Sequence, residues 1–298
     1  MLPGLNLVGD AAGGVSRTVF GGARRIASAL TPSFRPGNLD DRDPDYMRET
    51  LPGLWLLVNA WFRPSVRGLE NVPDDGPVLI VGNHTGGAQS PEVFISQLAL
   101  STYFGVERPH YQLAHRMVVN SPLGENLARF GTVEADPRNA AMALESGAMV
   151  TVFPGGDYEV FRPSWESTKV DFGRRKGFIR LALDANVPIV PMVTIGGQET
   201  ALFLSRGEWL ASALRLDKTM RLKTLPIRIA LPWGLAIGAF TPHIPLPAKI
   251  SIRFLEPIDL RERYGEDPDI DEVYDDLIAA MQTVMTELGR ERRLPVIG

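Results

Sequence analysis

Asn83-His84-Thr85-Gly86-Gly87-Ala88-Gln89-Ser90-Pro91-Glu92 lies between two apolar runs, Pro77–Val81 and Val93–Leu100. A short apolar run bounded by turn residues predicts a buried strand, so a strand ends just before a histidine. The glycines carry the chain round. Ser90-Pro91-Glu92 then has the order of an N-cap, a first helical residue and an acidic first turn. Strand, glycine-rich turn and helix in succession form the repeating unit of an α/β fold. Such a loop allows Glu92 to fold back toward His84. A histidine held by a carboxylate is a general base of the kind that takes a proton from an alcohol.

Outward from this unit the same alternation continues. Strands are predicted at Tyr111–Leu113, Met149–Phe153, Val187–Val193 and Ala248–Phe254. Helices are predicted at 92–100, 123–130, 139–146, 176–185 and 270–288, the last closing the chain before a charged tail. The pattern predicts a mixed, largely parallel sheet flanked by helices, occupying residues 65–298. Residues 1–64 read as an N-terminal helical extension. Its first part sets Arg17, Arg24 and Arg25 beside Val19, Phe20, Ile26 and Leu30, as in a short amphipathic helix or a packed arm. After Asp43-Pro44, a helix start, Met47, Leu51, Leu54, Trp55, Val58, Trp61 and Phe62 recur at three- and four-residue steps. That stripe suits a helix packed on the sheet, and its Trp55, Trp61 and Phe62 also suit a membrane interface.

Residues 201–230 have a different character. Arg206, Arg215, Lys218, Arg221, Lys223 and Arg228 face only Glu208 and Asp217, a net charge of +4 (6 − 2). The apolar, proline-broken stretch 229–240 follows. Basic residues beside an apolar surface are what an anionic membrane attracts, and a solvated helix followed by a loop has the same composition.

The 298 residues carry a net charge of −4, 44% hydrophobic and 22% charged residues, which describes a globular chain with no general attraction to nucleic acid. There is no cysteine, which excludes a thiol nucleophile, disulfides and thiolate metal sites. No H-E-x-x-H, P-loop, G-x-G-x-x-G or G-x-S-x-G occurs, so no metal, nucleotide or serine-nucleophile site is expected. A secretory leader pattern and a run of about 18 apolar residues are both missing. The expected location is peripheral, on the cytoplasmic side of a membrane. His110, His115 and His243 are expected to be structural or solvent-facing.

Four segments, taken in order, carry a resemblance: Asn83-His84 with its downstream acid, Phe130-Gly131-Thr132-Val133, Val152-Phe153-Pro154-Gly155-Gly156, and Val187-Pro188-Ile189-Val190-Pro191. Over residues 65–260 the chain resembles the glycerolipid acyltransferase superfamily, which includes the bacterial 1-acylglycerol-3-phosphate acyltransferases. The resemblance implies transfer of a fatty acyl group from an acyl-CoA or acyl carrier protein thioester to a lipid hydroxyl, with no further cofactor. It makes His84 the base and Glu92 its partner. It places Asn83, Gly86, Gly87, Phe153, Pro154, Gly155, Gly156, Glu159, Arg162 and Lys176 around the substrates, with glycine N–H groups as candidate oxyanion donors. Arg174 and Arg175 join Arg162 and Lys176 as candidate phosphate contacts.

Two departures from the family pattern bear on the substrate. The usual aspartate five residues after the histidine is Gln89 here, and the first acid is Glu92, eight residues on. Members with phosphate-bearing acceptors commonly read Phe-Pro-Glu-Gly followed by an arginine, whereas this chain has Gly155 and Tyr158 at those places. Gly-Gly-x-x-Glu is instead similar to the type 2 diacylglycerol acyltransferases. The expected acceptor is therefore a neutral glycerolipid, a mono- or diacylglycerol. Alternatives are a lysophospholipid acyltransferase, a non-catalytic lipid-binding protein of the same fold, and a hydrolase in which the histidine activates water. Gly196-Gly197-Gln198-Glu199-Thr200 follows a strand end and either lines the site or turns the chain.

Overall fold

The structure, a computed structural model, describes residues 38–216, 223–238, 243–292 and 294. The basic arm around Arg17, Arg24 and Arg25 lies outside them, as do Lys218 and Arg221 and the end of the apolar stretch. Along the described chain the elements are α1 (Pro44–Phe62), β1 (Ser65–Arg67), β2 (Val78–Gly82), α2 (Pro91–Tyr103), β3 (His110–Ala114), α3 (Arg116–Val119), α4 (Gly124–Arg129) and β4 (Thr132–Glu134). They continue with α5 (Pro137–Glu145), β5 (Met149–Val152), α6 (Gly156–Val160), α7 (Gly177–Ala185), β6 (Ile189–Ile195), β7 (Leu202–Ser205) and α8 (Glu208–Ala213). The last are β8 (Ile227–Ala230), β9 (Gly234–Ile237), β10 (Ser251–Phe254), α9 (Leu260–Tyr264) and α10 (Ile270–Glu291).

Seven strands form the main sheet in the order β1-β10-β6-β2-β5-β3-β4, and every pairing is parallel except β10 with β6. The expected mixed, largely parallel sheet is present. β2 lies between β5 and β6, so both its faces and both its edges are covered, which explains its unbroken apolar sequence. Leu79 and Val81 point into one layer with α5, α7 and α10. Val78 and Ile80 point into the other, with α2 and the end of α1.

The α1 stripe is mostly core. Met47 and Leu51 are buried, Leu54, Trp55 and Val58 pack on them, and Phe62 joins the sheet layer. Of the three aromatics offered to a membrane, Trp55 and Phe62 turn inward, and Trp61 is exposed. Leu56 and Leu57, outside the stripe, are also exposed.

The described residues of 201–238 do not form a helix followed by a loop. β7, β8 and β9 form a separate antiparallel sheet, with α8 between β7 and β8. The expectation missed it because its pattern is inverted: in β8 the buried position after Ile227 is Arg228, and Ile229 is exposed. Arg228 donates to the Gly238 carbonyl at 2.6 Å.

Candidate active site

His84 follows the carboxyl end of the central strand β2. The loops after its two neighbours, 153–156 after β5 and 196–200 after β6, come up beside it. Ligands in α/β sheets gather at this edge. The glycine-rich loop then returns the chain into α2, and Glu92 occupies the first turn of that helix. Ser90 is the N-cap, but its φ is +37° and its hydroxyl donates to the Gly87 carbonyl instead of capping α2. Gly86 has a φ of +78°, and a Cβ there would sit 2.6 Å from Pro91 Cδ, so this turn tolerates no side chain.

The turn delivers Glu92 to the histidine. Glu92 Oε1 is 2.7 Å from His84 Nδ1. The same carboxylate accepts the Thr85 N–H at 2.8 Å and the Thr85 hydroxyl at 2.9 Å. Glu92 is wholly buried, and three donors converge on its two oxygens. A carboxylate used only as acceptor assigns the proton to Nδ1 and leaves Nε2 as the basic nitrogen. Among the described residues Nε2 has no hydrogen-bond partner, and the His84 side chain is 19% exposed. The ring stacks on Phe153, with centroids 4.9 Å apart.

A second set of contacts holds the His84 backbone. Glu159 accepts the His84 N–H at 2.8 Å and the Asp171 N–H at 3.1 Å. The Arg162 guanidinium donates to the His84 carbonyl at 2.6 Å and to the Glu159 carbonyl at 3.1 Å, with Glu166 and Ser167 carbonyls taking its other N–H groups. Glu159 and Arg162 are both wholly buried, and their charged atoms approach to 3.8 Å. Burial pushes the Glu159 carboxyl up to about 7, against the pull of Arg162 and the two N–H groups. Burial likewise lowers Arg162 below its ordinary value, with Glu159 opposing.

The other residues expected around the substrates have partners of their own. The polar atoms of Glu159 and Arg162 are engaged with the His84 backbone and neighbouring backbone groups. Asn83 is buried too: its amide donates to the Thr194 carbonyl at 2.9 Å and accepts the Thr194 N–H at 2.7 Å, tying β2 to β6. Lys176 is paired with Asp271. Arg174 meets Asp271 and Asp275, and Arg175 meets Asp157 and the Pro154 and Gly155 carbonyls. Gly86 and Gly156 do line the turns, but their N–H groups are given to Gln198 Oε1 at 2.6 Å and to the Phe153 carbonyl at 3.1 Å. Of the glycines in those two loops, Gly87 and Gly155 are the ones whose N–H groups have no backbone or side-chain acceptor among the described residues. Gln89, at the usual aspartate position, turns away and donates to the His243 carbonyl at 2.8 Å.

Thr85 is given no role by its sequence, and Gln198 lies in the 196–200 stretch expected either to line the site or to turn the chain. Gln198 accepts from Gly86 and donates to the Arg162 carbonyl, linking the loop after β6 to both others. The only sequence signal was a polar residue after a glycine pair at a strand end. His110 sits inside the sheet, 2.8 Å from Thr151 Oγ1, and burial with nearby Arg42 and Arg108 holds it near 3. Among the described residues no cluster of histidine and acids has the form of a metal site.

Comparison with known proteins agrees with this architecture. An acyltransferase family model matches residues 63–195. An uncharacterized protein of Mycobacterium tuberculosis is 30% identical over 247 residues, 81% of this chain and 66% of its own length. A Bos taurus protein named DGAT1/2-independent enzyme synthesizing storage lipids is 32% identical over 152 residues, 50% of this chain and 44% of its own. The chain thus spans about two thirds of the mycobacterial relative and less than half of the bovine one. The crystal structure of a 1-acyl-sn-glycerophosphate acyltransferase from Thermotoga maritima shares the fold, with a TM-score of 0.50, 17% identity, and coverage of 91% of this chain and 89% of that one. Four ordered motifs, a parallel sheet with the histidine at its carboxyl edge and these matches agree: residues 63–195 fit the acyltransferase family, on the fold of the Thermotoga maritima enzyme.

Proposed function

We propose that this acyltransferase moves a fatty acyl group from an acyl thioester, acyl-CoA or acyl carrier protein, to the hydroxyl of a neutral glycerolipid such as mono- or diacylglycerol. The observation that carries the proposal is the His84–Glu92 pair, with Nε2 left facing away from its carboxylate. The acceptor hydroxyl gives its proton to Nε2 as its oxygen attacks the thioester carbonyl. Glu92 holds the ring and stabilises the imidazolium that forms. The tetrahedral intermediate collapses, the C–S bond breaks, and the imidazolium returns the proton to the departing thiolate. No protein nucleophile is required, which suits a chain without cysteine. The oxyanion is assigned to the N–H groups of Gly87 and Gly155.

The neutral acceptor is supported by where the cations around the 153–159 loop are spent. Arg162, Arg174, Arg175 and Lys176 are each held by carboxylates or carbonyls, and Arg206 donates to the Tyr158 carbonyl and to Glu166. A phosphate is recognised by charge-assisted hydrogen bonds, and these groups are already used. The bovine relative's name, an enzyme synthesizing storage lipids, points the same way. The test is acyl transfer from labelled long-chain acyl-CoA, comparing monoacylglycerol with lysophosphatidate. A higher kcat/KM for monoacylglycerol is expected, and a higher value for lysophosphatidate overturns the acceptor assignment. Release of free fatty acid at the full rate without any acceptor overturns transfer in favour of hydrolysis.

A further inference from the structure

The loop after β6 comes into direct contact with the turn that follows His84. A Cβ on Gly197 would fall 2.1 Å from Thr85 Oγ1 and 2.6 Å from Thr85 Cβ, so the two backbones meet with no room for a side chain between them. Thr85 is the residue whose N–H and hydroxyl both go to Glu92. The next residue along each loop continues the contact. The Gln198 side chain, 1% exposed, accepts the Gly86 N–H at Oε1 and donates from Nε2 to the Arg162 carbonyl.

An amide fits this pair of contacts, and its neighbours in size do not. One end has to accept from a peptide N–H while the other donates to a peptide carbonyl. An ionised glutamate has no donor, a methionine has no donor and only a weak acceptor, and an asparagine is one methylene shorter. The loop that presents Gln198 is itself held on several sides. The Gln198 carbonyl accepts the Ser164 hydroxyl at 3.0 Å. Its neighbour Glu199 forms a two-point ion pair with Arg292, which also donates to the Lys249 carbonyl at 3.3 Å. Arg292 directly follows α10, so the end of the closing helix anchors this loop.

We infer that Gln198 is a positioning residue for acyl transfer: by holding the Gly86 N–H it fixes the 85–87 turn, and through that turn it keeps Glu92 on the His84 ring. The inference rests on the reading of His84 as the base. Glu159 and Arg162 grip the His84 backbone itself, whereas Gln198 acts one turn further on. Without it, the buried Gly86 N–H has to move to find another acceptor. Thr85 on one side of Gly86 carries contacts to Glu92, and Gly87 on the other is an assigned oxyanion donor, so that movement reaches both.

The test compares Gln198→Met with Gln198→Glu, each checked for a native melting transition. In Gln198→Met, kcat should fall by about 10- to 100-fold at unchanged KM for acyl-CoA. A kcat equal to wild type, or a rise in KM alone, overturns the inference. A neutral carboxylic acid has one donor and one acceptor, as the amide does, so the activity of Gln198→Glu relative to Gln198→Met should rise as pH falls. The charged groups of the three loops, Glu92, Glu159, Arg162 and the Glu199–Arg292 pair, are common to both variants and cancel in that ratio. A flat ratio overturns the inference. If Gln198→Met does not fold, the ratio of Gln198→Glu to wild type carries the same test. A second readout needs no turnover: the downfield proton resonance of His84 Nδ1–H, identified by its loss in His84→Ala, should broaden or move upfield in the position-198 variants. An unmoved resonance overturns the inference. A protein that shows this response but transfers no acyl group loses the proposed function alone, and one that transfers while kcat and resonance ignore the substitution loses the positioning role alone.

Discussion

Glu92 and Glu159 flank the same histidine and hold different parts of it. Each is wholly buried in a short stretch of helix that follows a strand of the main sheet. Glu92 holds the ring and Glu159 holds the backbone N–H. The ring nitrogen can gain and lose a proton, so a carboxylate beside it bears on chemistry. A peptide N–H does neither, so a carboxylate there bears on placement. Arg162 completes the second role by taking the His84 carbonyl, so the His84 backbone is gripped at both its polar atoms. Burial and charge alone do not separate the two acids, and the donors that they accept do.

Mutations test that division. The largest effect is expected from His84→Ala, a loss of about 100- to 10,000-fold in acyl transfer with a melting transition close to wild type; an active variant removes the base from the mechanism. Arg162→Met should cost about 3–5 kcal/mol of stability, because it leaves Glu159 as a buried charge without its partner. Denaturant unfolding measures this, and a loss below 1 kcal/mol, roughly the scale of an exposed pair, breaks the placement role. Glu92→Gln should slow transfer at unchanged KM. It should also lose about 1–3 kcal/mol, since both oxygens accept and an amide offers one donor where an acceptor is needed. A pH slope is the remaining test. Glu159 has its carboxyl raised from 4.5 to about 7 in the folded protein, so the folded state holds the proton more tightly. Stability from this group is present below pH 4.5 and is lost as pH rises toward 7. Melting temperatures of wild type relative to Glu159→Gln should fall across that window, and parallel curves remove the shift.

Most of the main sheet was legible because its strands are apolar runs and two of its helices begin at Asp43-Pro44 and Ser90-Pro91. β1 and β4, at three residues each, are too short to carry a period. The small sheet escaped for a different reason. Alternation is read as apolar inside and polar outside, and β8 places Arg228 inside and Ile229 outside. At the site, the His84–Glu92 contact was legible from a strand, a flexible turn and a helix start in one short segment. The destination of Arg162 was not. A basic residue reads as surface, and only the three-dimensional meeting of loops from β2, β5 and β6 supplies the carbonyls that accept its N–H groups.

Gly155 carries a wider consequence. A Cβ there would fall 2.3 Å from Glu159 Oε2, so the acid from one turn later fills the room that a side chain at 155 would take. The family pattern puts a glutamate at 155 and an aspartate at 89, and this chain has its two buried acids four and three residues further on. An alignment column records order along a chain, and here order and place have parted twice, by about one helical turn each time. Scoring such relatives column by column counts both acids as lost. Scoring them by what reaches the histidine counts one buried acid on its ring and one on its backbone N–H.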